Sequence, residues 1–445
     1  MKGDLTKGPV MRTMLWFAVP MILGNLLQQC YNVADTLIVG RFLGAGALAA
    51  VGSSYTLMTF LTSILLGLCM GSGAVFSICF GQHNEEGLKE GIAASFMLIG
   101  VLTAVLTVLS FAGLDLIIHF LQVPEEIQGM MKDYLWVIFW GIAATFLYNY
   151  FASLLRAVGN SGVPLVFLAF SALLNIVLDL WFVLGLNRGV AGAAEATVIS
   201  QYVSGVGIGI YTWLCCPSLH VSRRHFRVKK ACLQQIAGFS LLTCIQQSVM
   251  NLGILMVQGL VNSFGTTVMA AFAAAVKIDS FAYMPVQDFG NAFSTFIAQN
   301  YGAGDQERIR KGLKGAAAVS MGFGAAVSLL VWIAARPLML LFVSPEETAV
   351  VAEGVRYLHI EGAFYYGIGC LFLFYGLYRA LGKPSMSVVL TVISLGTRVA
   401  LAYLLSAIPA VGLVGIWWSV PIGWALADIA GLMYYQLNKK KLLPQ

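Results

Sequence analysis

Long apolar stretches punctuated by short polar ones set the rhythm of this chain. Ile92–Leu114 and Gly315–Ala335 run without a charge. Leu233–Val276 does the same, broken only by the turn-like Ser263-Phe264-Gly265-Thr266-Thr267. A helix needs about 20 apolar residues to cross the hydrocarbon core of a bilayer, so these stretches read as membrane spans. Membrane strands would alternate apolar and polar positions at a period of two, and these segments do not. The pattern predicts twelve helices, at roughly 14–40, 47–80, 91–114, 131–155, 163–186, 190–214, 234–262, 267–300, 314–335, 353–378, 384–407 and 412–437.

Six of these spans fall in each half, and the halves are copies. The motif L-x-R-A-x-G occurs at Leu154–Gly159 and again at Leu377–Gly382. Gly189 and Gly192 recur at the same offset as Gly412 and Gly415. Val123-Pro124-Glu125-Glu126 is echoed by Ser344-Pro345-Glu346-Glu347, and Phe80-Gly81 with Gly91 by Tyr301-Gly302 with Gly312. Gly44 and Ala49-Ala50 match Gly265 and Ala270-Ala271. An even number of spans per copy makes both copies enter the membrane in the same sense, related by an axis along its normal. The expected fold class is therefore all-α integral membrane, with twelve transmembrane helices as two pseudo-symmetric six-helix bundles. The expected division is 1–214 for the N-terminal lobe, 215–232 for a basic linker and 233–445 for the C-terminal lobe.

Composition agrees: 59% of residues are hydrophobic and 10% charged, against a soluble norm of about a quarter charged. Of the 26 Lys and Arg, only Arg41, Lys132, Arg188, Arg336 and Arg356 fall on the outer side when both termini are cytoplasmic. Lys277 and Arg398 lie inside spans, and the rest collect on the inner side. That asymmetry is a positive-inside signal, so the net charge of +6 reports topology and anionic lipid, not nucleic acid. The expected location is the plasma or inner membrane. The first apolar segment is too long for a signal h-region and should remain as a helix. The eight cysteines show no C-x-x-C and read as small apolar packing residues. No Walker motif is present, because Gly382-Lys383 has Leu377 where the leading glycine belongs. Without a zinc spacing, a nucleophile elbow or a soluble catalytic domain, the chain reads as a transporter and not an enzyme, with no cofactor.

Ionisable groups inside spans are costly, and each is a functional-site hypothesis. The candidates are Asp35, Asp179, Glu195, Lys277, Asp279, Asp288, Glu361, Arg398 and Asp428. The duplication sorts them. Asp35 aligns with Met256, Asn175 with Arg398, Asp179 with Ala402 and Thr197 with Val420, so the first half holds a polar set that the second lacks. Asn175 and Asp179 are i and i+4, on one helix face. Two carboxylates, an amide and a hydroxyl suit a small cation, Na⁺ or H⁺. Glu361 and Arg398 read as a buried pair, and Asp428 as a partner at a helix contact; Glu195 has no account. Pro20 lies about four turns before Asp35 and is expected to kink the first helix. Expected substrate-cavity residues are Gln28, Tyr31, Asn32, Gln247, Asn251, Met256, Lys277, Asp279, Tyr283, Met284, Gln287 and Tyr365. Their methionines would supply an adaptable apolar wall.

These residues resemble the multidrug and toxic compound extrusion (MATE) transporters along essentially the whole chain. The most specific pieces are Asp35–Gly44, the paired L-x-R-A-x-G, Gln299-Asn300-Tyr301-Gly302-Ala303-Gly304, and Gly189–Ala194 followed by Ala196-Thr197. The resemblance implies two six-helix lobes around a V-shaped cavity and alternating access by a single chain. It implies export of small organic, often cationic or amphiphilic, compounds against entering H⁺ or Na⁺. It places a cation-coupling site on Asp35, Asn175, Asp179 and Thr197, and makes Pro20 the kink proline. Some relatives carry second-lobe acids where this chain reads Ile245-Gln246-Gln247-Ser248 and Tyr366-Gly367-Ile368-Gly369, so coupling is expected to rest on the first lobe. The alternative within the same superfamily is a flippase for a lipid-linked saccharide or other amphiphile.

Overall fold

The uncharged stretches fold as helices because a chain in hydrocarbon must satisfy its backbone N–H and C=O groups within itself. A computed structural model describes residues 3–120 and 125–443, so Val123-Pro124 of the repeated loop lie outside the described residues. In chain order the α-helices are α1 Val10–Leu43, α2 Ala45–Gly81, α3 Glu85–Ala112, α4 Leu114–Phe120, α5 Glu125–Ile138, α6 Gly141–Ala157, α7 Gly162–Asp179 and α8 Gly189–Cys215. The second half adds α9 Lys230–Asn262, α10 Thr266–Gly302, α11 Gln306–Leu340, α12 Thr348–Ile360, α13 Tyr365–Ala380, α14 Pro384–Ser406 and α15 Gly412–Leu442. Among the described residues, eleven spans are long and apolar enough to cross a membrane, and α5 with α6, bent by 45°, makes a twelfth when taken as one span. The twelve expected spans are all found.

The duplication is visible in local geometry. Gly44 and Gly265, Gly159 and Gly382, and Gly189 and Gly412 all hold positive φ, which L side chains adopt only with strain. Asn84 caps α3 by accepting from the Gly87 amide at 2.9 Å, and Asp305 caps α11 from the Arg308 amide at 2.9 Å. The outer helix faces stay apolar and uncovered: Val101, Leu173, Leu330 and Ile333 are each more than 60% exposed. Aqueous solvent would not tolerate that surface, and lipid does.

The chain packs as two compact units. Unit 1 comprises Met1–Asp4 and Val19–Cys244; unit 2 comprises Leu5–Ala18 and Ile245–Gln445. The partition therefore falls inside α1 and inside α9.

Within unit 1, α2 meets the first turns of α9 through Gly67 and Gly71, a small-xxx-small pair. A Cβ on Gly71 would lie 2.5 Å from Ser240 Cα, and one on Gly67 2.6 Å from Cys244 Cα. Only glycine lets the two backbones approach this closely. The Ser72 and Ser240 hydroxyls bond beside that crossing at 2.7 Å. The basic linker is also tied down here. Arg224 and His225 engage Glu86 at 2.6 and 3.2 Å, and Lys229 engages Glu90 at 2.6 Å. The Glu90 carboxylate raises the Lys229 ammonium above its ordinary range.

Within unit 2, the N-terminal segment is held as a strap. Arg308 donates to the carbonyls of Leu5 at 2.9 Å and Gly8 at 2.7 Å, and to the Asn300 side-chain oxygen at 2.9 Å. Gln299 accepts from the Leu5 amide at 3.0 Å. Gln299 and Asn300 of the Gln299–Gly304 stretch thus clamp the segment around Leu5.

Candidate functional site

Three helices of unit 1 bring the expected polar set together. The i, i+4 spacing puts Asn175 and Asp179 on one face of α7, and the short connection into α8 places Thr197 beside them. Asn175, Asp179 and Thr197 are 1%, 0% and 7% exposed. The Asn175 amide nitrogen donates to Asp179 Oδ2 at 2.9 Å, and its oxygen accepts from the Thr197 backbone amide at 3.1 Å. The Thr197 hydroxyl donates to the Ala193 carbonyl at 3.1 Å.

Asp35 of α1 completes the group by facing Asp179 carboxyl to carboxyl, within hydrogen-bonding contact. Oδ1 of each acid is buried and has no partner. Two bare carboxylates cannot occupy such a site together; they must share a proton or bind a cation. Among the described residues, no basic side chain contributes to the electrostatic surroundings of either acid. The cluster is thus short of positive charge, and its oxygens are of the hard type that small cations prefer.

The structure adds members that sequence reasoning missed or placed elsewhere. Tyr31, expected in a substrate cavity, points its hydroxyl at Thr197 and faces Asp35 one turn away. Tyr134 of α5, 8% exposed, also lies close to both acids, and nothing in its local sequence marks it. Immediately after Asp179 the chain makes i→i+5 turns over Leu180–Gly185. Such widened turns often sit at functional sites, and the counterpart α14 is regular to Ser406. Pro20 lies within α1, which is helical from Val10 through Leu43; the packing partition falls beside it, between Ala18 and Val19.

The remaining candidates separate. Gln28 and Asn32 lie on α1; Gln28 is exposed and Asn32 half-buried. In unit 2, Asn251, Tyr283, Met284 and Gln287 are half-buried, Met256 and Lys277 are exposed, and Gln247 is buried. Asp279 and Tyr365 are not free wall residues. Both are buried, and the Tyr365 hydroxyl donates to Asp279 Oδ1, while Tyr357 donates to Oδ2 at 2.5 Å. The simple Glu361–Arg398 pair expected from sequence is replaced by a wider group that includes Asp279. Asp428 finds no partner for its buried Oδ1. Glu195 acquires an account: it pairs with Arg188, the N-cap of α8, about two turns before it on the same side of the helix.

Comparison with known proteins places this arrangement in context. The family model described as MatE matches residues 20–181 and 240–404, one match in each repeat. "Probable multidrug resistance protein YpnP" of Bacillus subtilis is 29% identical, covering 99% of this chain and 98% of its own length. "Multidrug export protein MepA" of Staphylococcus aureus is 23% identical, covering 98% and 96%. A solved outward-facing conformation of a multidrug resistance MATE family transporter of the MOP superfamily matches with a TM-score of 0.93 at 22% identity, covering 99% of each chain. At that identity the likeness is one of fold.

Proposed function

The chain belongs to the MatE family, and from that membership we propose that it is a secondary active multidrug efflux antiporter. It exports small organic, often cationic, compounds across the plasma or inner membrane, with both termini cytoplasmic. The driving reaction is entry of H⁺ or Na⁺ through the Asp35–Asp179 pair, with alternating access of the two repeats. One observation carries the coupling assignment: two mutually facing carboxyls, each with a buried orphan oxygen, with no compensating base among the described residues.

In this reading each residue has a task. Asp35 and Asp179 hold the cation between them, and the Asn175 amide orients Asp179. Thr197 and Tyr31 fix the approach of α1 to α8. Occupancy of the pair removes the repulsion between the acids, so α1 packs differently when the site is filled and when it is empty. One monovalent cation entering is worth about 2.3 kcal/mol per 100 mV. A pH difference of one unit adds about 1.4 kcal/mol for a proton. Together these sustain roughly a 500-fold gradient of a neutral substrate.

The test is efflux of a fluorescent organic cation from proteoliposomes under an imposed pH gradient or an imposed Na⁺ gradient. Flux driven by one gradient and lost in Asp35→Asn names the coupling ion. Wild-type protein that moves the dye under neither gradient would redirect the reading to an amphiphile flippase, and Asp35→Asn that pumps at full rate would remove the cation from this pair.

A further inference from the structure

The basic linker between the repeats commits only part of its charge to the protein. Arg224 and His225 engage Glu86, and Lys229 engages Glu90, so one side of the segment lies against the start of α3. His225 is 4% exposed, and its Nδ1 accepts from the Ser222 backbone amide at 3.0 Å. The ring proton therefore sits on Nε2, where it donates to the Glu86 carboxylate. Two side chains and a closed local turn thus fix which way the linker faces. Among the described residues, Arg223, Arg227 and Lys230 have no carboxylate partner, and all three are exposed.

Local geometry sets this uncommitted charge beside apolar surface. Arg223–Phe226 is a single 3₁₀ turn, in which side chains three apart eclipse. Arg223 and Phe226 thus share one side of the turn, while Arg224 and His225 are held by Glu86 on another. Phe226 is 48% exposed. One uncovered ring is ordinary on a protein surface, but this one has company. Trp213 and Leu214, on the last turn of α8, are 59% and 70% exposed. Trp213 also stacks on His220 of the linker, with 4.6 Å between ring centroids.

Those positions define a level. Indole rings gather where the hydrocarbon of a bilayer gives way to headgroups. The linker leaves α8 beside Trp213, is pinned at its middle to the start of α3, and enters α9 at Lys230. It therefore runs along the interface, with Phe226 at acyl-chain depth and the free cations among headgroups. A guanidinium matches a phosphate in shape as well as charge. A zwitterionic headgroup brings its own ammonium to its phosphate, so three unpaired cations favour a lipid of net negative charge.

We propose that Arg223, Arg227 and Lys230, with Phe226 and Trp213 beside them, form a docking site for an anionic phospholipid of the cytoplasmic leaflet. The proposal needs the linker to be cytoplasmic but does not need the antiport reading, so its failure leaves that reading untouched.

The experiment compares three full-length proteins. They are the wild type, Arg223→Gln with Arg227→Gln and Lys230→Gln, and Lys439→Gln with Lys440→Gln and Lys441→Gln. All six substituted side chains are exposed, and the second triple removes as many inner-side charges elsewhere in the chain. Native mass spectrometry in detergent titrates phosphatidylglycerol against phosphatidylcholine with the same acyl chains. Hydrogen exchange in nanodiscs of either lipid follows the amides of residues 221–229. Each cation at an anionic surface is worth about fivefold in binding. The linker variant should therefore lose about fivefold to a hundredfold of the preference for phosphatidylglycerol, while the tail variant keeps it. Phosphatidylglycerol should slow exchange at 221–229 in the wild type and the tail variant only. Sodium phosphate should displace the lipid no better than sodium chloride of equal ionic strength. Equal losses in both variants would make the attraction a diffuse one. Displacement by phosphate but not by chloride would make this a site for free anions, and a wild type without preference would leave no site. Each of those three results overturns the proposal.

Discussion

Replacing Gly71 with alanine tests how far the fold depends on close backbone contact between α2 and α9. The added methyl would sit 2.5 Å from Ser240 Cα and 2.6 Å from the Phe239 carbonyl carbon. Carbon atoms in contact prefer about 3.5–4.0 Å, so the helices must part by roughly an ångström. Overpacking of this kind costs about 1–3 kcal/mol. Parting also stretches the 2.7 Å Ser72–Ser240 hydrogen bond, worth about 0.6 kcal/mol for a typical polar contact in a membrane. The expected loss is therefore about 2–4 kcal/mol, read as a lowered midpoint in denaturant or thermal unfolding in mild detergent. The obstacle is backbone, so adding Ser240→Ala should not rescue Gly71→Ala. Adding Gly67→Ala should cost less than its effect alone, because the first methyl has already opened the crossing. A Gly71→Ala protein as stable as wild type, or one restored by Ser240→Ala, would refute the reasoning.

Two other perturbations follow from contacts described above. Arg308→Ala removes four hydrogen bonds, to the Leu5, Lys7 and Gly8 carbonyls of the N-terminal strap and to the Asn300 side chain, and charged donors of this type contribute about 1.5–3 kcal/mol each when lost; amide exchange at Leu5–Gly8 should rise while α13 and α14 stay protected. Glu195→Gln breaks a pair whose Arg188 side chain is 52% exposed, so stability should change by less than about 1 kcal/mol and dye efflux should not change; a transport defect would give Glu195 a role in the cycle.

The elements legible in the sequence are those that one helix can encode alone. Span positions follow from hydropathy within a window, and Asn175 with Asp179 from a fixed i, i+4 rotation. The internal copy then identified Asp35 and Thr197 by their absence from the other half. What stayed hidden depends on how one helix is rotated against another. Tyr31 and Gln28 sit on the same helix, yet only Tyr31 turns toward Thr197. Asp279 looked like a cavity residue because nothing in α10 announces the tyrosines of α12 and α13 that cover it. Arg308 read as one more inner-side cation, since its carbonyl partners lie about 300 residues away in the chain.

The crossing at Gly67 and Gly71 also bears on how the protein is made. Its two sides are far apart in the chain, Ser72 and Ser240 being 168 residues apart. During synthesis α2 enters the bilayer with its glycine groove empty and stays so until the start of α9 leaves the ribosome. In the same way, the segment Leu5–Ala18 is made before unit 1 but packs with unit 2, which is made after it. Neither repeat is thus a self-sufficient folding module. A gene cut at the linker should yield two fragments that accumulate only when expressed together, and the nascent first half should depend on membrane chaperones or lipid to cover its groove.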